Sequence, residues 1–71
     1  MGNEGIPPEV VITRRITELE GIRERYLAYQ QDRVNERDHH GAWDVAVNLS
    51  ETECEIAGLR FAIDALTKEA T

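Results

Sequence analysis

With 71 residues, 14 Asp and Glu against 8 Lys and Arg, and a net charge of −6, the chain has room for one small domain. That charge argues against a nonspecific grip on a phosphate backbone, which needs a basic surface. Cys54 is the only cysteine, so neither a disulfide framework nor a zinc pattern supports so small a core, and oligomerisation is the expected source of the missing stability.

No apolar run approaches membrane-spanning length, and Met1 to Ile6, polar and glycine-rich, has neither the basic nor the apolar region of a signal peptide. A lone thiol suits a reducing compartment. The expectation is therefore a cytoplasmic protein with no membrane partner.

Residues 1–6 read as a flexible tail, ahead of a single helical-hairpin domain over residues 7–71. Pro7-Pro8 fixes an extended entry, and a proline is tolerated in a helix's first turn. Glu9 then adds a negative charge where the helix dipole favours one. Ile12, Ile16, Leu19, Ile22, Tyr26 and Tyr29 form one stripe, which Arg33 continues with its methylene stem, so a first helix is predicted over about residues 8–36. Gly21 falls on the opposite side, where it weakens the helix by about 1 kcal/mol but obstructs nothing.

Asn35 to Gly41 is polar and free of apolar residues, which predicts a turn at about residues 37–41 with Asp38 capping a second helix. From there Ala42, Val45, Leu49, Thr52, Ile56, Leu59, Ile63, Leu66 and Ala70 recur at steps of three and four, the seam of a helix that packs along another. A second helix over about residues 41–69 follows. Trp43, Val45, Val47 and Leu49 also alternate like a half-buried strand, and Ser50-Glu51-Thr52-Glu53 is a capping box that could start a helix later. A lone strand has no partner in the chain, and the seam crosses this segment without losing phase, so one continuous helix is preferred.

Two long helices and a short turn make an all-α, antiparallel, coiled-coil-like hairpin. With the turn centred on His39, residues facing each other should have numbers summing to about 78. Ile12 then meets Leu66, Ile16 meets Ile63, Leu19 meets Leu59 and Ile22 meets Ile56. The same register sets Arg23 opposite Glu55, each near the middle of an apolar face. They are expected either to form a charge-assisted register pair or to snorkel at the groove edge.

The second helix carries more apolar surface than one partner can cover. Trp43, Val47, Cys54, Gly58, Phe61 and Ala65 fall on a second stripe, beside Ala57 and Ala62. These six are the candidate interface residues, with Trp43 and Phe61 as anchors. A symmetric dimer, the commonest oligomer, would turn the hairpin into a four-helix bundle. A different protein could instead dock there.

Other chemistry is sparse. Asp38, His39, His40 and Asp44 are the only cluster of metal-ligand type, with no evident third and fourth ligands at coordinating spacing, so no metal is expected. Cys54 lies about four helical turns from the turn histidines, roughly 20 Å, and Ser50 has no base beside it. No phosphate-binding loop occurs, and the chain is expected to be neither an enzyme nor a cofactor binder.

Asp38-His39-His40-Gly41, followed by Ala46, Leu49, Glu53, Glu55-Ile56-Ala57 and Leu59, resembles small helical-hairpin proteins encoded by phages of actinobacteria, many of which place an Asp-x-His-Gly turn before an Ala- and Glu-rich helix. The likeness covers about half the chain. Those proteins are mostly of unknown function. The resemblance implies an accessory phage protein in the host cytoplasm that binds a host or virion component.

The expected function is thus a non-enzymatic protein-protein interaction or oligomerisation module, with self as partner. One alternative is an inhibitor or adaptor that captures a host protein through the Trp43-Phe61 stripe. The other is a nucleic-acid-associated regulator, supported only by the arginines of helix one, whose field the interleaved acids largely cancel.

Overall fold

A computed structural model of the chain describes residues 5–70, without the side chains of residues 69 and 70. The fold is an antiparallel hairpin of two helices, α1 (Pro8–Asn35) and α2 (His39–Ala70), with no strand among the described residues. Residues 43–49 are helical throughout, because the three-four seam there buries Val45 and half-buries Leu49 against α1. The tail expected at residues 1–6 lies outside the described residues for Met1 to Glu4.

α1 starts without a side-chain cap. Pro7 is extended (φ −61°, ψ 145°) and its carbonyl accepts from the Val10 backbone N–H at 3.0 Å, while Pro8 takes the first helical position and has no N–H to satisfy.

The turn is shorter than the composition suggests: only Glu36, Arg37 and Asp38 separate the helices. Its construction explains the difference. The Asp38 N–H donates to the Arg33 carbonyl at 2.8 Å and the Arg37 N–H to the Val34 carbonyl at 3.0 Å, the double closure of a Schellman motif. That motif needs a left-handed residue, and Arg37 supplies it at φ 59°, where glycine is usual. An apolar contact commonly braces such a turn. Here Arg33 and Asp38 take that place with an ion pair at 3.5 Å, and Arg33 also holds Glu36 at 3.0 Å.

Asp38 then caps α2 as anticipated, its Oδ1 accepting the Gly41 N–H at 2.9 Å. Gly41 is accordingly the third residue of the helix and not the end of the turn. What its position demands is space. A Cβ on Gly41 would stand 2.8 Å from Asp38 Cγ and 3.0 Å from Arg33 Cδ.

The two seams meet as their spacing requires. Leu19 on α1 and Val45, Thr52 and Ile56 on α2 are buried, and Ile12, Ile16, Ile22, Tyr26, Leu49, Leu59, Ile63 and Leu66 are half-buried around them. Ala70, the seam's last member, has no described side chain. Thr52 is the one buried polar residue among the described residues, and its hydroxyl donates to the Asn48 carbonyl at 3.0 Å, which removes the cost of an unsatisfied group. Tyr29 departs from the expected stripe at 52% exposure. Its ring lies at the seam edge under the Arg33 guanidinium, 5.0 Å from the centroid, a cation-π contact.

The molecule is a slab. Its principal extents are 50 × 26 × 13 Å, so its least dimension is close to the roughly 10–12 Å width of one helix with its side chains. It exposes 5484 Å², whereas a compact monomer of 8.1 kDa exposes about 4,500 Å² by the usual size scaling. A sheet of two helices has one buried seam and two open faces.

Candidate protein-protein interface

At 100° per residue, Trp43, Val47, Cys54, Phe61 and Ala65 stand roughly opposite the buried line through Val45 and Ile56. All five are exposed, as is Gly58 between them. Trp43 is 67% exposed, Phe61 77% and Val47 41%, so the face presents two of the chain's largest apolar side chains to solvent. Trp43, Ala46, Val47, Ser50 and Glu51 line a shallow apolar hollow at one end of it. Nothing in the hairpin lies within 4 Å of a Cβ built on Gly58. The expected interface residues therefore do share one open face of α2.

The register pair is corrected. Glu55 pairs with Arg15, whose Nε donates to Oε2 at 3.3 Å, and no ion pair joins Glu55 to Arg23. The turn's centre at Arg37 sets Glu55 about level with Leu19, which leaves Arg15 and Arg23 one turn away on either side. They are eight residues apart, so they diverge by about 80° around α1 and occupy opposite flanks of the seam. Glu55 shares the flank of Arg15. Arg23 instead lines an open groove on the other flank with Glu53, Ile56, Ala57, Arg60, Phe61 and Asp64.

Arg15 also bonds Glu18 at 2.7 Å, and the two carboxylates, Glu18 first, hold its pKa above the usual guanidinium value. On the flank of Arg23, Arg60 of α2 pairs with Glu20 of α1. Among the described residues, a cross-helix ion pair on each flank brackets the apolar seam and discourages sliding, although exposed pairs of this kind add little net stability.

Asp38 also has a shifted pKa. The Gly41 N–H that it accepts, followed by nearby Arg33, holds its carboxyl below the usual carboxylate range. Arg33 is the busiest residue of the turn: it bonds Glu36 and Asp38 and covers Tyr29, while its buried Nε has no partner. The sequence pattern marked only its apolar stem. The signal for the rest was the run of acids that follows at Glu36 and Asp38, three and five residues on.

His40 Nε2 approaches Asp44 Oδ2 at 3.8 Å, with both side chains largely exposed. Among the described residues no group of three or more His, Cys, Asp or Glu could hold a metal ion. No helix is long and apolar enough to cross a membrane, among the described residues. Cys54 is exposed and unbonded on the outer face. On α1, Val10, Val11, Leu27 and Val34 are exposed apolar residues that the stripe pattern did not single out, and Leu27 and Val34 share a side through their seven-residue spacing. Comparison of the chain with protein-family models, with curated proteins and with solved structures finds no match in any of the three.

Proposed function

We propose that this chain is a non-enzymatic interaction module that binds a second copy of itself through the outer face of α2, so that two hairpins join α2 to α2 in a four-helix layer. The observation that carries this reading is the exposure of Trp43 and Phe61 on one face of a helix whose other face is already filled by α1. Aromatic side chains bury about 150–250 Å² each, so at 67% and 77% exposure these two leave roughly 300 Å² of ring surface per chain. Two copies supply about 600 Å², half of the ~1,200 Å² at which specific interfaces begin, before Val47, Ala57 and Ala65 are added.

In keeping with the resemblance to phage hairpins, the dimer would serve as an accessory protein in the host cytoplasm.

Light scattering on the native chain and on Phe61→Glu tests the proposal. The native chain should scatter as about 16 kDa, twice the 8.1 kDa chain, and Phe61→Glu as a monomer with unchanged helical circular dichroism. A native monomer at micromolar concentration contradicts self-association and shifts the reading to a different protein as the occupant. A Phe61→Glu dimer places the interface elsewhere.

A further inference from the structure

The stripe has an internal symmetry that fixes how a second copy would lie on it. Gly58 apart, whose mirror position is Ser50, its members Trp43, Val47, Cys54, Phe61 and Ala65 are spaced four, seven, seven and four residues apart, a pattern that reads the same in both directions about Cys54. All five are exposed and all lie within about 40° of one line along α2. Resting on the dimer reading above, we infer that the second copy lies antiparallel, α2 against α2, with the two-fold axis passing between the two Cys54 side chains.

Reversal about Cys54 sets Trp43 against Ala65 of the second copy, Val47 against Phe61, Gly58 against Ser50, and Cys54 against Cys54. Every layer then contains at most one large side chain and a smaller one facing it. Straight helices pack at a nearly constant separation of about 8–10 Å, which needs layers of nearly constant volume. A parallel pairing in register sets Trp43 on Trp43 and Phe61 on Phe61, and sets Ala65 on Ala65 and Gly58 on Gly58. Two bulging layers would alternate with layers too thin to touch, and voids of that kind forfeit contact energy. The parallel pairing also aligns the two helix dipoles, whereas reversal opposes them. Finally, both hairpins keep α1 on the outside, since it covers the side of α2 away from the stripe.

The geometry is measurable by pulsed electron spin resonance on a single nitroxide. Cys54→Ala removes the native thiol, and His39→Cys, exposed at the start of α2 and off the stripe, carries the label. Residue 39 lies 15 residues from the axis at residue 54. At 1.5 Å per residue, the antiparallel dimer places the two labels about 45 Å apart. A parallel dimer places them under about 20 Å. Light scattering of the same labelled sample separates the two claims. A dimeric mass with a distance near 45 Å supports the inference. A dimeric mass with a short distance, or one differing by more than about 10 Å, overturns the antiparallel register and leaves the dimer standing. A monomeric mass, in both the labelled and the native chain, overturns the dimer itself.

Discussion

The two faces of α2 both carry apolar residues and have opposite surroundings. On the inner face Val45, Thr52 and Ile56 are buried under α1, and even the Thr52 hydroxyl finds its carbonyl. On the outer face Trp43, Val47 and Phe61 are exposed. A surface helix keeps its apolar residues to one stripe, and a partner helix covers one stripe. The hairpin covers one stripe of α2 and leaves the other exposed, and that exposed stripe is the ground of the proposed dimer.

That contrast can be broken from either side. Ile56, 3% exposed, anchors the inner face, so Ile56→Ala should cost about 2–5 kcal/mol, enough to abolish cooperative unfolding in a hairpin this small. Phe61→Ala removes more atoms from the outer face, yet in dilute, dissociated chains its cost should stay within about 0.5 kcal/mol. Urea melts followed by helical circular dichroism compare the two. Equal costs would mean that the faces are not distinct.

The turn offers a smaller test, in the opposite direction. Arg37→Gly relieves a left-handed backbone at φ 59° and should stabilise the hairpin by about 1 kcal/mol, raising its thermal midpoint by roughly 4–8 °C. A lower midpoint would show that the Arg37 side chain contributes more than its backbone costs.

The smallest effect is a pH dependence at the same turn. The Asp38 carboxyl is held below its ordinary pKa chiefly by the Gly41 N–H, so it binds protons less readily folded than unfolded. Its stabilisation is present above the unfolded pKa, near 3.9, and is lost as pH falls through the lower folded value. Asp38→Asn keeps an acceptor for the cap but does not titrate, so its thermal midpoint should change less than that of the native chain as the pH falls below about 4. Parallel curves for the two proteins would remove Asp38 as the acid-sensitive group.

The hairpin was legible in the sequence because burial against one partner imposes the three-four spacing directly, and both seams could be followed end to end. The exposed second stripe of α2 was legible for the same reason, from Trp43 to Ala65. The partner of Glu55 was not. Centring the turn on His39 instead of Arg37 put the expected level about four residues off, and the flank depends further on rotation around the axis, where Arg15 and Arg23 differ by about 80°. The turn boundary slipped for a different cause. Glycine at position 41 looked like a chain reversal, whereas its missing Cβ makes room for Asp38 and Arg33, and the reversal falls to Arg37.

Trp43 is the chain's only tryptophan and sits on the outer face at 67% exposure, so its fluorescence reports directly on whether that face is covered. A dimer built on the stripe predicts an emission maximum shifted to the blue at micromolar concentration that moves to the red as the protein is diluted. The midpoint of that change should coincide with the loss of dimer mass. An emission maximum typical of a water-exposed indole, unchanged over the whole dilution, would contradict the claim that a second copy covers this face.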